Sequence, residues 1–209
     1  MVIKHIDFPD NQFIPIKQHK SQIVLHHTVS SGTAKSVANY WTSNPQKIAT
    51  AYIIDRKGIV HQLFDDSYYA WHIGDTHKES RMLKLPQRNC SRYSIGIELI
   101  SMGPLIKKRG GLVNSYGKRY KTDDITEYQE PFRSYNIYES YTNSQISSLK
   151  QLLKSITKKH DIPLKINAED FGNDISYNAL SGEPGIYSHT SFRLDKSDIH
   201  PQEEILNLF

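Results

Sequence analysis

The run Ile23-Val24-Leu25-His26-His27 constrains this chain more than any other stretch of its sequence. Three apolar residues, two of them β-branched, stand between polar clusters and read as a short buried strand. The strand ends at a pair of imidazoles, so polar chemistry sits at the edge of a core. Ser30-Ser31-Gly32-Thr33 then punctuates the chain, and Ala34 to Trp41 is predicted as a short helix with Val37, Tyr40 and Trp41 on one side.

Two further segments extend the same pattern. Ala51 to Asp55 and Ile59 to Phe64 read as strands joined by a tight turn that ends at Gly58. In Ser94-Ile95-Gly96-Ile97-Glu98-Leu99-Ile100 the apolar residues alternate with Ser94, Gly96 and Glu98, so one face of this strand carries a single carboxylate. Thr142-Asn143-Ser144-Gln145 has the form of a capping box. It opens a helix with an apolar stripe at Ile146, Leu149, Leu152, Leu153 and Ile156, and Lys158-Lys159-His160 suit the negative end of its dipole. Leu164 to Ile166 is expected to form a brief strand, and Pro201 to Leu208 a terminal helix. Ser101 to Tyr141 is rich in Gly, Lys, Tyr and Asp without sustained periodicity and reads as a loop-rich insertion. Strands alternating with helices predict one α/β domain over residues 1–209, with a central mixed β-sheet flanked by helices and long loops around the site.

Composition narrows the class of protein. With 37% hydrophobic and 23% charged residues the chain is an ordinary globular one rather than a disordered or membrane-spanning one. No segment reaches the roughly 20 apolar residues that cross a bilayer, and the N-terminus lacks the apolar stretch of a signal peptide, so synthesis in a cytoplasm is expected. Cys90 is the single cysteine, which rules out an intramolecular disulfide. The net charge of +4 mildly favours anionic partners; its local source, Lys107-Lys108-Arg109 with Lys118, Arg119 and Lys121, reads first as a solvated loop.

Three residues stand out as metal ligands: His26 at a strand end, His189 after Gly185-Ile186-Tyr187-Ser188, and Asp198. Two imidazoles and a carboxylate are one of the three-ligand sets that catalytic zinc uses while keeping a fourth position open. Lys196, two residues before Asp198, is placed to direct an ammonium toward the same cavity and an oxyanion forming there. Singly, each of these residues has an ordinary structural explanation; together they point to a site. Arg193 is a candidate for binding a substrate carboxylate by a bidentate pair, with a plain surface arginine as the competing reading.

The order and local words of the chain resemble the type-2 N-acetylmuramoyl-L-alanine amidase family from about Ile23 to Pro201. The resemblance is carried by Ile23-Val24-Leu25-His26-His27-Thr28, by Ala49 through Gly58, by Trp71-His72-Ile73-Gly74, by Ser94 through Leu99, and by His189 through Lys196-Ser197-Asp198. It implies Zn2+ held by His26, His189 and Asp198, Glu98 as the acidic residue that assists water, and Trp71 and His72 in the substrate groove; Lys196, from its spacing to Asp198, is expected to be the second catalytic residue. His27 is expected to pack or hydrogen-bond beside the site. Many members carry proline directly after the final ligand, whereas here Ile199-His200-Pro201 follows, so His200 competes with Asp198 for the third place. The implied partner is peptidoglycan or a muropeptide rather than nucleic acid, and the chain is expected to act as a monomer. Within the family a phage-type endolysin, acting on the wall after release, fits these words best. The alternatives are a cytosolic muropeptide-recycling amidase and a module that binds peptidoglycan without cutting it.

Overall fold

The computed structural model describes residues 2–209. Among the described residues there are ten strands: β1 (Ile3–His5), β2 (Gln22–His27), β3 (Tyr52–Ile54), β4 (Val60–Gln62), β5 (Ser94–Leu99), β6 (Pro104–Lys108), β7 (Gly111–Asn114), β8 (Ile125–Phe132), β9 (Tyr135–Glu139) and β10 (Gly185–Ser188). Six of them form one sheet in the order β1-β4-β3-β5-β2-β10. The sheet is mixed because β3 and β4 form the expected hairpin, antiparallel, while every other pair runs parallel. Gly58 closes the hairpin turn at φ 78°, where a side chain would be strained.

Every residue of β2 and β5 is buried, as expected for parallel strands covered on both faces. Their register sets His26 opposite Glu98, Val24 opposite Gly96 and Gln22 opposite Ser94, all on one face. Ile23, Leu25, Ile95, Ile97 and Leu99 point the other way, into the main core. The long helix Asn143–His160 supplies Leu149, Leu152, Leu153 and Ile156 to that core. Thr142 and Gln145 make the capping box that starts it. Full burial of each such aliphatic side chain is worth about 1.5–3 kcal/mol, so this one stripe anchors the helix firmly. Against the opposite face Val24 packs with Ile73, Cys90, Leu180, Tyr187 and Phe192. Leu180 comes from a short helix at Tyr177–Ser181 and Cys90 from one at Cys90–Tyr93, neither of which the sequence pattern marks.

Residues 101–141 depart from expectation. They hold β6 to β9, a second, antiparallel sheet in the order β7-β6-β9-β8, with a small core of Met102, Leu105 and Ile137. Its strands have one wet face and carry Lys107, Lys108, Glu127, Gln129 and Glu130, so short alternations are masked by charge. Lys107 pairs with Glu127 across the sheet at 3.3 Å, both side chains mostly exposed, and such a pair adds little stability. Three smaller expectations also change. Leu164 to Ile166 is reduced to a single bridge between Ile166 and Ile186. The terminal helix is shorter, Glu203–Leu206. In the helix α1 (Ala34–Thr42), Val37 and Trp41 are buried but Tyr40 is 71% exposed, because its position falls at the edge of the apolar arc.

Candidate functional site

His26 reaches the site from the end of β2, and His189 from the first residue of a single 3-10 turn that follows β10. Ser188 caps that turn, its hydroxyl accepting from the Ser191 amide. Asp198 lies on the irregular segment beyond. Its Oδ2 is 2.9 Å from His189 Nδ1 and 3.1 Å from His26 Nδ1, and the two Nδ1 atoms are 3.1 Å apart. All three groups are largely withdrawn from solvent.

The proton inventory around these atoms can be worked out from their partners. The Ile73 carbonyl, 2.9 Å from His189 Nε2, can only accept, so Nε2 carries the hydrogen and Nδ1 a lone pair. Ser94 Oγ donates to the Cys90 carbonyl at 2.8 Å and therefore accepts from His72 Nε2 at 3.0 Å. His72 Nδ1 is then an acceptor for His26 Nε2–H at 2.9 Å, which leaves a lone pair on His26 Nδ1 as well. Burial, then the neighbouring His189, lowers the His26 pKa to about 4, so the ring is neutral near pH 7. Two imidazole lone pairs and a carboxylate oxygen thus converge with no hydrogen between them. That donor set fits a divalent cation, and His26, His189 and Asp198 are the residues that would hold it.

The three groups line a cleft of about 730 Å³ together with Thr50, His72, Glu98, Tyr116 and Lys196. Glu98 faces it from β5. Its carboxyl makes no hydrogen bond to another described residue, and burial, with Asp198 nearby, pushes its pKa well above the usual range. Lys196 lines the same cleft with its side chain about a third exposed.

The remaining candidates fall elsewhere. His72 borders the cleft but is buried, and both its ring nitrogens are committed, to His26 and Ser94, so neither is free for a substrate. Trp71 stands outside the cleft, edge-on to Tyr69 and beside Gly74 and Asp75. Arg193 is also outside it. Its guanidinium forms two 2.8 Å bonds to Asp195, so the carboxylate it was expected to bind is supplied by its own loop. His200 lies outside the His26–His189–Asp198 group, stacked between Tyr138 and Tyr141, with Nδ1 2.8 Å from Tyr128 Oη and Nε2 donating to the Glu139 carbonyl. His27, on the opposite face of β2, bonds Tyr141 Oη at 2.8 Å. The sequence pattern set Ser94 on the same face as Glu98 but assigned it no role, and the structure makes it the acceptor for His72.

Comparison with known proteins agrees with this geometry. A sequence model of the N-acetylmuramoyl-L-alanine amidase family matches residues 17–201. No curated protein sequence matches the chain. Among solved structures, PlyL is similar with a TM-score of 0.52 at 15% identity, covering 95% of this chain and 86% of its own. The N-acetylmuramoyl-L-alanine amidase LysC from Clostridium intestinale URNW gives 0.53 at 12% identity, covering 98% and 95%. The endolysin N-acetylmuramoyl-L-alanine amidase LysCS from the same source gives 0.50 at 12%, covering 98% and 92%. At such identities the structures speak for a shared fold, and the sequence match for the lineage: the chain belongs to the N-acetylmuramoyl-L-alanine amidase family.

Proposed function

We propose that the chain is a zinc-dependent peptidoglycan hydrolase that cuts the amide bond between the lactyl group of N-acetylmuramic acid and L-alanine, and that it serves as a phage-type endolysin. The observation that carries the enzymatic reading is the convergence of His26 Nδ1, His189 Nδ1 and Asp198 Oδ2 at one end of a cleft that also presents Glu98. The endolysin role rests on the likeness to LysCS. A module that only binds its ligand has no need of a buried, unpartnered carboxyl beside three metal donors.

Zinc in this set supplies Lewis acidity, polarising the lactyl carbonyl and making water a competent nucleophile near neutral pH. Glu98 accepts a proton from the attacking water. Burial raises the pKa of this carboxyl, which makes it a stronger acceptor for that proton than an exposed carboxylate. The same proton passes to the alanine nitrogen as the C–N bond breaks, so water and amide become a carboxylic acid and a free amine. Lys196 lines the cleft where its ammonium can stabilise the oxyanion of the tetrahedral adduct. The exposed rings of Tyr40 and Tyr116 border the same cleft and offer apolar faces to a sugar.

Mass spectrometry of purified peptidoglycan after digestion tests the reading. The expected products are stem peptides with a free N-terminal alanine and glycan strands of unchanged length. New reducing ends on the glycan, or activity that persists after chelation and is not raised by added zinc, would overturn it.

A further inference from the structure

Two of the three metal donors share one loop, and Asp198 follows His189 by nine residues. A single backbone bond, Thr190 N–H to the Asp198 carbonyl at 3.0 Å, ties the two ends together. The loop has no strand or long helix to hold its middle. Ser176 N–H donates to the Ser191 carbonyl at 2.8 Å and Leu194 N–H to Glu79 Oε1 at 3.4 Å, and one side chain from the second sheet spans both ends of this stretch. Arg133 donates from Nη2 to the Thr190 carbonyl at 2.6 Å and from Nη1 to the Leu194 carbonyl at 2.9 Å. One planar guanidinium therefore bridges the residue after His189 and the residue four before Asp198.

The backbone beneath this side chain points the same way. Phe132 pairs with Tyr135, so Arg133 and Ser134 are the two central residues of the turn between β8 and β9, at φ 47° and 72°. Two positive φ values in succession favour Asn-Gly, and residues with larger side chains are unfavourable there. The turn is nonetheless held in place, with Arg133 N–H donating to Asn173 Oδ1 at 2.7 Å and Asn173 Nδ2 donating to the Pro131 carbonyl at 3.1 Å. Among the described residues Arg133 has no carboxylate partner within ion-pair distance, so a surface salt bridge does not account for it. A strained turn retained around a half-buried arginine whose donors reach only loop carbonyls is a sign of function.

We propose that Arg133 is a positioning residue: it clamps the 189–198 loop so that His189 and Asp198 meet His26 at metal-binding distance. The second sheet is then part of the metal site, although none of its residues is a donor to it. The clamp rests on the zinc reading only for its purpose; its effect on the loop is independent of metal.

The decisive variant combines Arg133→Asn with Ser134→Gly, which suits the turn better while removing the guanidinium. In the metal-free protein, hydrogen exchange of the Thr190, Phe192 and Arg193 amides should accelerate at least about tenfold, with the amides of β2 and β5 unchanged. Zinc affinity, measured by competition with a chromophoric chelator, should fall on the order of 10–100-fold, the usual effect of losing a group that orients metal ligands. Arg133→Lys, which keeps a donor but not the fork, should fall between. Loop exchange within twofold of the wild type, or a uniform rise across the whole chain, overturns the clamp. A wild-type protein that binds no zinc overturns the metal reading instead, and loop exchange then decides the clamp alone.

Discussion

The site is assembled from two halves made in different ways. His26 and Glu98 stand on neighbouring central strands, in register, and their placement follows from the parity of two buried strands. His189, Lys196 and Asp198 stand on an irregular segment after the sheet's edge strand and owe their placement to side chains from elsewhere, notably Arg133 and the Tyr138–His200–Tyr141 stack. The strand half is rigid because moving one residue means breaking a ladder. The loop half is adjustable, and its order has to be supplied by contacts. In the proposed reaction the proton acceptor, Glu98, therefore stands on the strand half, while Lys196 and two of the three metal donors come on the loop.

The sharpest test of this division is Glu98→Gln. The change keeps size and leaves the ladder intact, so zinc content and melting temperature should match the wild type while turnover falls by ~10²–10⁴, the span of a general base. Turnover near the wild-type rate would remove Glu98 from the reaction and reduce the strand half to one ligand.

How much of this was legible in the sequence divides along the same line. Parity along β5 and β2, the capping box at Thr142 and Gln145, and the grouping of His26, His189 and Asp198 were all readable, because each depends on local spacing or on a recognisable word. The orientations of Trp71 and His72 were not, because they sit in an irregular segment where no period tells which side chain turns inward. The second sheet escaped because its turn at Arg133-Ser134 lacks the glycine or asparagine that normally signals a hairpin, and because its strands are polar on one face. Arg133 could not be found from sequence at all: its partners lie about sixty residues away and are backbone carbonyls, which carry no residue signature.

On the loop half, Lys196→Ala should lower kcat by ~10²–10³ with little change in KM, as expected when one oxyanion partner is lost from the transition state and not from the ground state. Steady-state kinetics on a defined muropeptide separates the two terms. An unchanged kcat with a raised KM would make Lys196 a substrate-binding residue, and the loop would then serve binding more than chemistry.

The smallest effect expected is in the packing of the strand half. Gly96 lies between Gln22's and His26's partners on β5, and a Cβ built there would come within 2.7 Å of Thr50 Cγ2 and 3.1 Å of the His72 ring. His72 is the acceptor that fixes the tautomer of His26, so the missing side chain at position 96 is what lets the support reach its ligand. Gly96→Ala must push Thr50 or His72 aside. Overpacking of this kind costs about 1–3 kcal/mol, and for a chain of this size each kcal/mol lowers Tm by roughly 2–4 °C. Calorimetry of the metal-free protein should therefore show Tm lower by at least about 2 °C, whereas the paired change at Arg133 and Ser134 should not lower it. A Gly96→Ala protein as stable as the wild type would mean that Thr50 and His72 yield without cost. The strand half would then be as adjustable as the loop, and the contrast between them would fail.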